Sequence, residues 1–140
     1  MPMEEQEYSA AILKLAELAQ GDTGGSRVAA QVLLSAYNGD AFQLNIVELG
    51  NLDRGYYQAA LAVIRGRVEL RIEPQDFLEN GGQVFSDLWK MWERYHVTNR
   101  GVPDCSSCHG TGLIYEDLND ETNYTRKPCS KCGGKGFESK

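Results

Sequence analysis

Cys105-Ser106-Ser107-Cys108-His109-Gly110-Thr111-Gly112 and Cys129-Ser130-Lys131-Cys132-Gly133-Gly134-Lys135-Gly136 both read CxxCxGxG, and between them they hold all four cysteines of the 140-residue chain. Four thiolates in two CxxC pairs are a ligand set for one tetrahedral zinc ion. Gly110, Gly112, Gly134 and Gly136 let the backbone fold back around the metal where a side chain would clash. Twenty residues separate Cys108 from Cys129, enough for an out-and-back excursion. Leu113-Ile114-Tyr115 leaves the first knuckle as a strand, Tyr124-Thr125-Arg126 returns to the second, and residues 117 to 123 form a polar tip. The reading is a C-terminal zinc-bound β-hairpin with one structural ion, because four thiolates close the shell and leave no place for a catalytic water. Disulfides or free thiols are the alternatives, and His109 is an alternative ligand.

The repeat resembles the cysteine-rich domain of DnaJ-type chaperones, in which four such repeats build two zinc sites; two repeats imply one. It is more similar to the zinc module of lambdoid phage Q antitermination proteins, which has two such knuckles at about this spacing with an apolar helix before them. The likeness spans residues 84 to 137 and implies Cys105, Cys108, Cys129 and Cys132 as zinc ligands. A phage- or prophage-type regulator that contacts transcription machinery is the function it implies. Chaperone function is not implied, since the J-domain motif His-Pro-Asp is absent. The stretch Gly21-Asp22-Thr23-Gly24-Gly25-Ser26-Arg27-Val28-Ala29, with an Asn38 turn and Asp53-Arg54, resembles a small helical domain of unknown function in bacterial and prophage genomes; it carries no mechanism.

Charge bounds the partners. Residues 1 to 99 hold 8 Lys+Arg and 14 Asp+Glu, and residues 100 to 140 hold 6 of each, so the net charge of −6 sits in the first part. Phosphate neutralisation supplies most non-specific nucleic-acid affinity, so an acidic chain favours a protein partner over DNA or RNA. No run of 18 apolar residues exists, which argues against a membrane-spanning helix. The start, Met1-Pro2-Met3-Glu4-Glu5, does not read as a secretory signal. A reducing cytoplasm, where disulfides are rare, is the expected compartment.

Outside the knuckles the periodicity is helical. We expect a mainly α domain of about four helices over residues 1–99, followed by the zinc module over 100–140. Tyr8, Ile12, Leu15 and Ala19 form one stripe over residues 4 to 20. Ser26 is placed as the N-cap of a second helix to Tyr37, with Val28, Ala29, Val32, Leu33 and Ala36 inward. GDTGGS (residues 21 to 26) lacks a preceding strand and a Lys-Ser/Thr ending, so it reads as a helix-helix turn, not a phosphate loop. Asn51 or Asp53 caps a third helix to Arg65, with Tyr57, Ala60, Leu61 and Ile64 inward. Residues 68 to 72 are either a short strand or a helix tail. After a break at Asn80-Gly81-Gly82, a fourth helix runs from Gln83 to His96 with an aromatic stripe.

Three groups compete for a partner surface. Trp89 and Trp92 form either a binding platform or core packing, and their helical spacing favours core. Arg65 and Arg67, with Arg54 and Arg71, form either a phosphate patch or a solvated face balanced by acids such as Glu69 and Glu73. Lys131 and Lys135 stand beside the metal. No nucleophile-base constellation assembles once the cysteines are assigned to zinc, so a non-enzyme is expected. The function expected is non-enzymatic binding: a regulator of transcription machinery or, alternatively, a protein-protein adaptor.

Overall fold

In a computed structural model of the full chain, the structure describes residues 3–99, 103–108, 113–117, 124–132 and 134–136. The chain divides into two compact units, Met1–Trp92 and Glu93–Lys140. The protein is mainly α-helical, and no helix among the described residues is long and apolar enough to cross a membrane.

The first unit holds α1 (Glu5–Ala19), α2 (Gly24–Tyr37), α3 (Arg54–Glu69) and α4 (Gly81–Met91), with 3-10 turns at Ile46–Asn51 and Pro74–Phe77. Helix α1 buries Tyr8, Ile12, Leu15 and Ala19, the stripe read from the sequence. Its first turn carries Glu5 and Glu7, which the positive end of the helix dipole favours. Helix α2 begins three residues earlier than its sequence suggested. Thr23, not Ser26, is its N-cap, and Thr23 Oγ1 accepts the Ser26 N–H at 3.0 Å. Ser26 sits in the first turn, buried, with its hydroxyl 2.9 Å from Thr23 Oγ1. The GDTGGS segment is therefore a helix-helix connection closed by its own threonine. Helix α2 buries side chains on all sides, from Val28 to Leu34. Its polar Gln31 is satisfied by Glu48 Oε2 at 2.7 Å, and Glu48 also pairs with Arg27 at 3.2 Å.

Helix α3 reverses part of the expected inward set. Ala59, Ala60, Ala62, Val63 and Gly66 are buried, whereas Tyr57 and Ile64 are exposed and Leu61 is half-buried. The physical reason is closeness of approach. A Cβ on Gly66 would lie 2.3 Å from the ring of Tyr8, so α1 docks against the small-residue face. The larger apolar residues are left on the outside. Residues 68 and 69 continue the helix, so that stretch is a helix tail.

Tyr8 is fully buried against this surface. Its hydroxyl donates to the Ile72 carbonyl at 2.7 Å, and its ring meets Phe77 edge-on at 5.2 Å. Burial pushes its phenol up to about 12. A phenol that resists ionisation in the fold contributes stability that is whole below its unfolded value near pH 10 and is lost as pH rises through about 12. Tyr8→Phe should cost about 1–2 kcal/mol at neutral pH by stranding a carbonyl. It should also remove this alkaline loss, which urea melts at neutral pH and at high pH would read out.

After α3 the chain turns through Arg71, whose φ of 59° is left-handed. That position follows the helix C-cap, where glycine is preferred because an L side chain costs about 1–2 kcal/mol there. Arg71→Gly is expected to raise stability by about 0.5–1 kcal/mol, part of the relief being offset by glycine's greater freedom when unfolded. A melting temperature no higher than that of the parent would count against the strain.

Helix α4 starts at Gly81, so the Asn80-Gly81-Gly82 break lies at and inside its first turn. It ends at Met91, short of the His96 expected, and 3-10 turns follow at Glu93–Tyr95 and Val97–Asn99. Phe85 and Leu88 are buried, and the Phe42 ring meets Trp89 edge-on at 4.9 Å.

In the second unit Arg94 organises the segment before the first knuckle. Its guanidinium donates to Asp104 Oδ1 at 2.7 Å and to the Asn99 carbonyl at 2.6 Å. Strands β1 (Leu113–Asp117) and β2 (Tyr124–Pro128) lie antiparallel, with Leu113 opposite Pro128 and Asp117 opposite Tyr124. Of the polar tip expected at residues 117 to 123, Asp117 ends β1 and residues 118 to 123 lie outside the described residues.

Candidate metal centre

The four cysteines, distant in sequence, converge. Cys105, Cys108, Cys129 and Cys132 are all buried, and their sulfurs lie within 4.8 Å of one another. The Sγ atoms of Cys105 and Cys129 are 3.8 Å apart, and those of Cys108 and Cys132 are 3.7 Å apart. A disulfide requires about 2.0 Å, so these are free thiols. A tetrahedron of thiolates about 2.3 Å from a metal has edges of about 3.8 Å. The observed spacings therefore fit a single ion at the centre of the four sulfurs.

Backbone turns build this arrangement. Residues 105–108 and 129–132 each turn tightly enough to bring both sulfurs of a pair inward. The Cys105 N–H donates to the Gly136 carbonyl at 3.1 Å and so ties the two knuckles together. The Gly134 N–H donates to the Cys129 carbonyl at 3.0 Å, and the Gly136 N–H to Cys132 Sγ at 3.2 Å. Gly134 and Gly136 have φ of 84° and 86°, the left-handed region in which glycine is unstrained. The sequence reading of these two glycines as turn residues thus has a conformational basis. Gly110, Gly112 and His109 lie outside the described residues.

Electrostatics favour the thiolate of Cys105. The backbone N–H of Cys108 draws the Cys105 thiol down to about 7, aided by the N–H of Ser107 and the neighbouring thiols, while burial opposes. Thiolate is the form that binds metal. A buried thiolate is costly without a cation beside it.

The remaining candidates separate clearly. Lys131 reaches across to the first knuckle and donates to Ser106 Oγ at 2.6 Å; Lys135 is exposed. Arg67 donates through Nε to the Ala36 carbonyl at 2.9 Å, a helix-to-helix tie. Arg65 is bound to Glu69 at 2.8 Å, one turn away. The Trp92 indole donates to the Ala19 carbonyl at 2.9 Å, and Trp89 is half-buried among Tyr37 and Phe42. One side of Trp89 lines an open cleft with Tyr37, Phe85, Ser86 and Lys90. The metal-site contacts that sequence reasoning missed are Cys105 to Gly136 and Lys131 to Ser106. No motif announces them, because each depends on how one knuckle is set against the other.

Fold and site together define a helical protein that carries four cysteines arranged as a metal ion would require. The chain belongs to DUF7673, a family of unknown function whose model matches residues 9–93. The match covers the helical part; all four cysteines lie outside it. Comparison with the curated proteins and with the solved structures gives no match.

Proposed function

We propose that the protein is a non-enzymatic zinc protein. One structural zinc ion staples the two knuckles and strands β1 and β2 into a single hairpin module. The observation that carries this reading is the closed set of four buried sulfurs at tetrahedral spacing. Iron also accepts four thiolates, but zinc needs no redox partner and suits a purely structural role. The site would hold the ion through Cys105, Cys108, Cys129 and Cys132 alone. Its chemistry there is to hold shape.

The biological reading is binding. The CxxCxGxG pair supports a phage- or prophage-type regulator that contacts transcription machinery from the cytoplasm. A protein-protein adaptor is the second reading, favoured by the apolar residues that α3 exposes to solvent, Val68 at 69% among them. The aromatic cleft at Trp89 offers only Tyr37 and Lys90 as titratable lining groups, which suits binding more than catalysis.

The test is elemental analysis of natively purified protein, with thiol titration before and after chelation. One zinc per chain and thiols released together establish the staple; iron, no metal or oxidised thiols overturn it. Retention on duplex DNA and on purified RNA polymerase then separates the two binding readings. Neither is expected for an adaptor.

A further inference from the structure

The chain enters the metal centre through Asp104-Cys105-Ser106, and each of these three residues is held from elsewhere in the sequence. Asp104 Oδ1 accepts the Nε–H of Arg94 at 2.7 Å. The Cys105 N–H donates to the Gly136 carbonyl at 3.1 Å. Ser106 Oγ accepts from Lys131 Nζ at 2.6 Å. The second knuckle is closed by local bonds instead, from the Gly134 N–H to the Cys129 carbonyl and from the Gly136 N–H to Cys132 Sγ.

Arg94 does more than meet one carboxylate. It also donates through Nη1 to the Asn99 carbonyl at 2.6 Å, and the Asn99 side-chain amide donates back to the Glu93 carbonyl at 2.8 Å. One guanidinium thus pins residues 99 and 104, the two ends of the segment that leads into Cys105. The Arg94 side chain is only 14% exposed, which sets it apart from the loose surface ion pairs that contribute next to nothing. The planar fork of arginine serves two acceptors in a fixed geometry, which a lysine ammonium does not.

Position matters here because this unit has little packing to supply it. Its buried cluster among the described residues is the four cysteines themselves. Hydrogen bonds around a ligand then decide where its sulfur sits, and removing such bonds typically weakens metal affinity about 10–100-fold. The charge of Arg94 is matched by Asp104, so its effect on Cys105 is one of position. Lys131 ends on a neutral hydroxyl, and its charge also offsets the net negative charge of zinc with four thiolates.

We propose that Arg94 and Lys131 are positioning residues for Cys105, and that they set how tightly the zinc ion is held. The inference rests on the zinc reading and deepens it. A parent protein that takes up no zinc overturns both. A parent with one tightly held ion, and variants that hold it equally tightly, overturn this inference alone.

The experiment uses the full chain loaded with zinc and a competing chromophoric chelator. Arg94→Gln should lower zinc affinity at least about tenfold. Arg94→Lys, which keeps the charge but not the fork, should recover only part of the loss. Lys131→Gln should cause a smaller loss; Lys131 and Ser106 are exposed, so the change disturbs no packing. Arg65→Gln removes an ion pair of similar length in the first unit and should change nothing. A second readout is alkylation by iodoacetamide with zinc in excess, mapped by mass spectrometry. Arg94→Gln should quicken the reaction of Cys105 more than that of Cys129 or Cys132, whereas general loosening would quicken all four alike. Unchanged affinity in Arg94→Gln, equal gains in reactivity at all four cysteines, or full recovery by Arg94→Lys overturns the proposal.

Discussion

Cys129→Ser is expected to strip the metal from the protein and unfold the second unit while leaving the helical unit intact. Cys129 is fully buried and its sulfur sits 3.8 Å from that of Cys105. A serine hydroxyl does not ionise at neutral pH and is a poor ligand for a thiophilic ion. The effect is large because this unit has little else to stand on. Its buried cluster among the described residues is the four cysteines themselves. Structural zinc sites supply an apparent binding free energy of about 10–16 kcal/mol, most of which is folding free energy in so small a module. Metal content should fall well below one ion per chain. Limited proteolysis should cut beyond residue 93, and far-ultraviolet circular dichroism should keep its helical signal, since α1 to α4 belong to the first unit. Chelation of the parent protein should reproduce the phenotype. A variant that keeps its metal and its protease resistance would sink the four-thiolate site.

The second large effect concerns one missing methyl group. Gly66→Ala would place a Cβ 2.3 Å from two ring carbons of Tyr8. The ring has no easy retreat: its hydroxyl is held by the Ile72 carbonyl and the ring packs edge-on with Phe77. Either the ring breaks these contacts or α3 moves off α1. Overpacking of this kind costs about 3 kcal/mol, which for a unit of this size lowers the melting temperature by more than about 10 °C. Tyr8→Leu should recover part of the loss in the double variant, because the two residues share one space. Additive losses, measured by a double-mutant cycle, would show that the clash is not the cause.

The metal site was the most legible part of the sequence. Cysteine spacing is a local pattern with a specific geometric consequence, and the sulfurs converge as the CxxC pairs imply. Helix α1 was legible because a single stripe meets a single core. Helix α3 was not. Its row of Tyr57, Leu61 and Ile64 has the same periodicity as an inward stripe, and periodicity alone does not say which face is inside. The deciding residue was Gly66, which reads as a weak helix former and acts as the floor on which Tyr8 rests. Ser26 and Thr23 are both good caps, and only the backbone shows that Thr23 takes the role. The arginines were misleading in another way: composition cannot tell Arg67, tied to a carbonyl, from Arg54, which faces solvent.

Helix α2 has a consequence for how the first unit comes apart. It is wrapped by α1, α3, α4 and the turn at Ile46–Asn51, and its middle turns present no wet face. A helix apolar all round has no stable life in water by itself. Its amide protons can meet solvent only when the surrounding helices have let go, so their exchange measures global opening rather than fraying. The remaining helices can each loosen a surface; α2 can only be reached through all of them. Its N-cap, Thr23, sits at the edge of this enclosure. A change there would register in the exchange of every amide that α2 protects.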